Sequence, residues 1–216
     1  MLTFITLLFW LFAVIIPGTP QNLKDNKGLM TILFYGNSLT AGYGIDSDKA
    51  YTHLIQQKID DLGWPFKVIN GGVSGETSAG GLNRIDWVLK NKINVFVLEL
   101  GGNDGLRGVD PRATLKNLRA IIRRVRKSYP QAKIILAGMQ APPNLGPSFT
   151  MAFKEIFPNL AKSEKTSLIP FLLEGVGGIA EMNLPDGIHP TAEGHLVMAD
   201  NVWKVLKPVL EGLHRY

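Results

Sequence analysis

The chain has 216 residues, a formal net charge of +5, an apolar fraction of 45% and no cysteine. That length and composition suit one domain with a sizeable core and exclude a compositionally disordered chain. The lack of cysteine excludes disulfides, thiolate catalysis and Cys-ligated zinc, but leaves an extracytoplasmic address open, because a domain of this size needs no disulfide staple.

The first element in chain order is an apolar or Thr-containing run from Leu2 to Ile16, followed by Pro17-Gly18-Thr19-Pro20. It is short for a membrane span, and Phe4, Phe9, Trp10 and Phe12 leave it without a polar face. We therefore read residues 1–22 as an export signal or an uncleaved N-terminal anchor, and 23–216 as the folded domain. This reading predicts a periplasmic or secreted protein, with membrane association through the N-terminal segment in the anchored case.

After a polar linker, Gln21 to Gly28, strand-like and helix-like segments alternate. Thr31 to Tyr35 is a short apolar run closed by Gly36, the pattern of a buried strand. Ala50 to Leu62 has helical spacing and stops at Gly63. Lys67 to Asn70 reads as a second strand, Leu82 to Lys90 as a short helix, and Asn94 to Leu100 as the strongest strand. Arg112 to Ser128, led by Pro111, reads as a long amphipathic helix. Lys133 to Ala137 is a fourth strand, and a helix is expected near Phe149 to Leu160. Ser167 to Pro170 is a weaker fifth strand. A closing helix is expected over Thr191 to Leu210, interrupted near Pro208. The cations Arg119, Arg123, Arg124, Arg126 and Lys127 crowd one predicted helix. No nucleic-acid motif accompanies them, so they read as a solvated helix face rather than a nucleic-acid or anionic-lipid surface.

This alternation predicts an α/β fold with a parallel sheet and helices on both faces. Right-handed crossovers then bring the strand C-termini to one edge, where open α/β sheets carry their sites. Four polar, Gly-rich turns are expected there. They are Gly36 to Gly44, Gly71 to Thr77, Gly101 to Asp104, and Asp186-Gly187-Ile188-His189-Pro190.

Their chemistry is complementary. The Ser38 hydroxyl becomes a nucleophile when an imidazole removes its proton, a role for His189. The imidazole needs a carboxylate on its other nitrogen, and Asp186 lies three residues away in the same turn. The tetrahedral oxyanion needs preorganised donors, which the Ser38 and Gly75 backbone N–H groups and the Asn103 side-chain amide can provide. Each piece alone has an ordinary reading as a turn or cap residue. Their joint appearance makes coincidence a poor explanation. The nucleophile elbow Gly-x-Ser-x-Gly is absent, which argues against the large α/β-hydrolase class.

In these four blocks the chain resembles the SGNH, or GDSL-type, hydrolases. Gly36-Asn37-Ser38-Leu39-Thr40-Ala41-Gly42-Tyr43 is similar to the family's first block and Ser74 to Ser78 to its second. Leu98 to Gly108 is similar to its third, and Asp186 to Pro190 to its last. The resemblance runs from about Thr31 to the C-terminal helix. The third block and Pro142 to Gly146 look like the bacterial thioesterase, lysophospholipase and arylesterase branch. The resemblance implies a flavodoxin-like three-layer α/β/α sandwich with a five-stranded parallel sheet. It also implies hydrolysis of carboxylic esters, thioesters or lysophospholipids through an acyl-Ser38 intermediate, without metal or cofactor. A carbohydrate acetylesterase and a non-catalytic binding module on the same fold stand as alternatives, as does a metal-dependent hydrolase using Asp186, His189 and Glu193 or His195.

One position departs from the family pattern. Asn37 stands where the family usually has Asp, and it is expected to brace the serine turn while removing a negative charge near the site. Tyr43, Asn144 and Leu145, with Phe149, are expected to border the substrate. Asp104 is expected to pair with Arg107, Glu76 to brace its own turn, and His195 to be a packing or helix-surface histidine.

Overall fold

The computed structural model describes residues 28–214. The expected N-terminal signal or anchor lies outside them. Five parallel strands are joined by helices: β1 (Met30–Gly36), α1 (Ser38–Ala41), α2 (Tyr51–Asp61), β2 (Phe66–Asn70), α3 (Ser78–Val88), β3 (Val95–Glu99), α4 (Gly102–Leu106), α5 (Pro111–Ser128), β4 (Lys133–Ala137), α6 (Pro147–Glu164), β5 (Ser167–Ile169) and α7 (Ala192–His214). The sheet order is β2-β1-β3-β4-β5. The chain thus leaves β1 toward β2 on one side and returns to place β3 on the other. The resulting crevice between the ends of β1 and β3 is where such sheets hold ligands.

The strands are apolar because both sheet faces are covered. All five residues of β3 are buried, including Glu99, which is fully buried. Tyr51 from α2 packs edge-on against Phe34, and α7 lies beside α2 on that face. On the other face Tyr35 and Phe96 meet under α3 and α5, and α6 packs against α5. Burying each such aromatic removes enough apolar surface to stabilise the fold by about 1.5–3 kcal/mol.

Three expected boundaries shift for identifiable reasons. Helix α3 begins at Ser78 rather than Leu82, because Thr77 caps it and Asp104 accepts the Ser78 N–H. Helix α6 begins at Pro147, a residue suited to a first helical turn. Helix α7 runs through Pro208 without the expected break. Leu206 and Leu210, fully buried on either side, hold that turn against the core at the expense of one backbone hydrogen bond. The basic helix face proves to be largely paired. Arg119, Arg123 and Arg126 converge on the buried Glu164 of α6, and Arg124 meets Asp86 of α3.

Candidate active site

The crevice is built from the turns after β1, β2 and β3 and from the loop before α7. The β1 turn is tight. Asn37 caps α1 by accepting the Leu39 N–H at 2.9 Å, and Gly42 closes that single helical turn with φ +76°. Ser38 is 8% exposed. Gly72 packs directly under this turn. A Cβ there would strike the backbone of Ala41 and the Asn37 carbonyl, so the turn after β2 must carry glycine at this point.

The Ser38 Oγ lies 3.0 Å from His189 Nε2, and His189 Nδ1 lies 2.7 Å from Asp186 Oδ2. The other Asp186 oxygen accepts the backbone N–H groups of Ile188 at 2.8 Å and His189 at 2.9 Å. These backbone donors, with the His189 side chain, hold the Asp186 carboxyl down at about 2. An ionised carboxylate can only accept, so the Nδ1 proton faces Asp186 and the Nε2 lone pair faces Ser38. The Tyr43 ring lies against the imidazole, 4.4 Å between centroids.

The expected oxyanion donors are also neighbours. Asn103 Nδ2 donates to the Glu76 carbonyl at 3.0 Å, which leaves its second N–H uncommitted. Gly75 has φ +78°, a left-handed conformation that favours glycine, and its carbonyl accepts from Arg107. Among the described residues neither the Ser38 N–H nor the Gly75 N–H has an intramolecular acceptor.

The supporting side chains partly differ from expectation. Asp104 does not pair with Arg107. It is 1% exposed and accepts the Ser78 N–H at 2.8 Å and the Ser78 hydroxyl at 2.5 Å. Inward-facing α4 meets the unsatisfied donors at the start of α3, and these offer a buried carboxylate more than an exposed guanidinium does. Arg107 reaches the Gly75 carbonyl instead. Glu76 forms a two-pronged pair with Arg84, whose guanidinium also donates to the Gly71 carbonyl and lies 4.1 Å from the Tyr35 ring centroid. His195 is 1% exposed and stacks on Tyr51, whose backbone N–H donates to its Nδ1. Burial holds its imidazole down at about 4. Asp186, His189, Glu193 and His195 do not converge as a metal site would require, and no group of three or more such ligands exists among the described residues.

A cavity of about 580 Å³ opens beside Ser38 and His189, within the size range of small-molecule sites. Its apolar wall includes Leu39, Met139, Pro142, Phe171, Leu173 and Ile188. Tyr43, Asn144 and Leu145 are not among the lining residues, Tyr43 lying against His189 instead, and Phe149 stacks on Phe153 against the core. A Pro-rich loop pattern shows that a loop borders the crevice. It does not show which residues turn inward, and here Pro142 and Pro143 take that place. The Phe171 and Leu173 contribution follows β5 and carries no local sequence signal. Glu99 did have one, as a lone carboxylate in an otherwise apolar strand.

Comparisons with known proteins bear on the family and the fold. Residues 34–197 match the GDSL-like Lipase/Acylhydrolase family. The chain is 41% identical over 189 residues to Esterase TesA of Pseudomonas aeruginosa, covering 87% of this chain and 93% of that one. It is 38% identical over 183 residues to Thioesterase 1/protease 1/lysophospholipase L1 of Escherichia coli, covering 83% and 85%. The esterase EstA of Pseudoalteromonas, solved inhibited by monoethylphosphonate, superposes with a TM-score of 0.79 at 30% identity, covering 84% of this chain and 98% of that one. The chain belongs to the GDSL-like lipase/acylhydrolase family and is a carboxylic ester hydrolase.

Proposed function

We propose that the chain hydrolyses acyl esters through an acyl-Ser38 intermediate, with His189 as general base and acid and Asp186 as its orienting carboxylate. The observation that carries this reading is the continuous hydrogen-bonded chain from Ser38 Oγ through His189 to Asp186, at 3.0 and 2.7 Å, opening on an apolar cavity. His189 Nε2 takes the Ser38 proton as Oγ attacks the ester carbonyl, then delivers it to the leaving alcohol. A water then enters and gives a proton to the same nitrogen as it attacks the acyl carbon; the bond to Ser38 Oγ breaks, Nε2 returns the proton to Oγ, and the acid leaves. The Ser38 and Gly75 N–H groups and Asn103 Nδ2 receive the negative charge that builds on the carbonyl oxygen.

The apolar cavity favours an acyl chain of several carbons over acetate. An acyl chain buries methylenes against Met139, Phe171 and Leu173, whereas a sugar acetyl group would leave that wall empty. This favours fatty acyl esters, thioesters and lysophospholipids over carbohydrate acetates. We read residues 1–22 as an export signal or anchor, which directs the catalytic domain, residues 23–216, to the periplasm or beyond the cell. Among the described residues no helix is long and apolar enough to cross a membrane.

A fluorophosphonate probe tests the serine. It is expected to label Ser38 in the wild-type protein, with labelling lost in Ser38→Ala. Labelling that persists in Ser38→Ala, or hydrolysis that survives it, would exclude Ser38 as the nucleophile.

A further inference from the structure

Directly beneath the nucleophile turn lies a carboxylate that the hydrolytic cycle does not use. Glu99 ends β3, fully buried, in register with Gly36 of β1. Gly36 has to be glycine here, because a Cβ would run into the Glu99 carboxylate and Thr40 Oγ1. Glu99 Oε1 accepts from Asn37 Nδ2 at 2.8 Å. Its Oε2 accepts from the Asn37 backbone N–H at 3.1 Å and from the Thr40 hydroxyl at 2.7 Å. The Asn37 Oδ1 in turn accepts the Leu39 N–H. One buried side chain thus holds the residues on both sides of Ser38.

We propose that Glu99 is the positioning residue of the nucleophile, and that Asn37 makes its grip on the Ser38 turn independent of a proton. The inference rests on reading Ser38 as the nucleophile. Asn37 Nδ2 can only donate, so Glu99 Oε1 remains an acceptor whether the carboxyl is ionised or protonated. In the protonated form, Glu99 Oε2–H can donate to Thr40 Oγ1 while the other contacts persist. With a carboxylate at position 37, two acidic oxygens would face each other at the Nδ2–Oε1 distance, and the contact would require one shared proton.

The charged and titratable surroundings are few. Tyr51 of α2 shares Thr40 Oγ1 at 2.8 Å, and His195 of α7 stacks behind Tyr51. His189 lies across Ser38, and Asp104 of α4 turns away to Ser78. Among the described residues no cation forms an ion pair with Glu99. Burial accordingly raises the Glu99 carboxyl, so a second carboxylate beside it would hold a proton well into the range where the enzyme is assayed.

Three variants test this: Glu99→Gln, Asn37→Asp, and the two together. In Glu99→Gln the new amide must face a donor, either Asn37 Nδ2 or the Asn37 N–H. If Asn37 flips, its own amide faces the Leu39 N–H instead. We expect kcat for p-nitrophenyl butyrate to fall at least ~10-fold with KM little changed, because the loss is in serine placement rather than acyl binding. Asn37→Asp is expected to retain activity at low pH and lose it as pH rises and the shared proton leaves, giving a basic limb absent from the wild type. The double variant restores every donor–acceptor match with the polarity reversed. The Nε2 of the introduced glutamine would donate to the introduced carboxylate, and its Oε1 would accept the backbone N–H and the Thr40 hydroxyl. It is expected to regain most of kcat and to lose the basic limb.

Fluorophosphonate labelling rates, measured on the same variants from about pH 5 to about pH 9, read serine placement without substrate turnover. An unchanged kcat and pH profile in both single variants would overturn the inference while leaving the serine mechanism intact. So would a double variant worse than either single one. No labelling in the wild type would overturn both. Should Glu99→Gln fail to fold, the Asn37→Asp profile and its correction in the double variant still decide the matter.

Discussion

At the scale of single residues, the proposed mechanism depends on fixed proton positions. Asp186 is ionised, its other oxygen is committed to two backbone N–H groups, and the imidazole can therefore adopt only the tautomer that leaves Nε2 free for Ser38. Replacing His189 by Ala should lower kcat by at least ~10³-fold with KM little changed, since the lost proton transfer belongs to the transition state. Asp186→Asn should cost ~10²–10⁴-fold by favouring the wrong tautomer. Steady-state kinetics on short p-nitrophenyl esters checks both. The Asp186 carboxyl also sets an acid limit. It is held at about 2, below its ordinary 3.8, so its stabilising contacts are fully present above pH 3.8 and lost only as pH falls through about 2. Loss of activity above that range therefore belongs to another group. Asn103→Ala should lower kcat by ~10²–10³-fold if its free N–H meets the oxyanion. A change confined to KM would count against that role.

At the scale of elements, the turns are held by buried polar groups that tie one helix to the next. Asp104 of α4 closes the start of α3 through both the backbone and the hydroxyl of Ser78, and also accepts from Thr114 of α5 at 3.3 Å. Asp104→Ala leaves those donors buried and unpaired, and should cost about 2–3 kcal/mol of stability in urea denaturation. It should also lower kcat, because Asn103 is the adjacent residue. His195 joins α7 to α2 in its neutral form. Its imidazole is held at about 4 against an ordinary 6.5, so the unfolded chain binds the extra proton in that interval. Stability contributed by the neutral ring is therefore complete above pH 6.5 and is lost as pH falls toward 4, by on the order of 3 kcal/mol. His195→Asn offers the Tyr51 N–H an alternative acceptor and cannot titrate. Its denaturation midpoint should vary less between pH 6.5 and pH 4, even if it is lower throughout.

At the scale of the whole molecule, sheet order decides what the site can hold. Placing β1 between β2 and β3 brings three Gly-rich turns to one edge, while β4 and β5 extend the sheet on the side where the apolar wall forms. Each methylene of an acyl chain that enters the cavity should contribute about 0.8 kcal/mol, roughly fourfold in kcat/KM. A series of p-nitrophenyl esters should therefore rise in kcat/KM from acetate and then level off once the cavity is full. A monotonic fall from acetate would indicate that the wall does not receive the acyl chain and would favour the acetylesterase reading.

The same three scales separate what was legible in the amino-acid order from what was not. The strands, the parallel sheet and its edge followed from local apolar runs, Gly stops and the alternation of periods, because these depend on residues near in sequence. The residues now found together at that edge were legible as well. Strand ends in this architecture must converge; Ser38 and Asn103 each carried chemistry just past such an end, and the Asp186–His189 turn carried the complementary pair in the loop before α7. Folded context alone decided the partners of charged groups. Asp104 chose Ser78 over the nearby Arg107, and Arg119, Arg123 and Arg126 of α5 chose Glu164, beyond β4 in the chain, because burial makes a distant satisfied pair worth more than a close exposed one. The apolar cavity wall and the Glu99 contacts with Asn37 were also settled only in three dimensions. Both join segments far apart in the chain, and nothing in the local order of residues specifies which side chains meet across a sheet until the strands take their register.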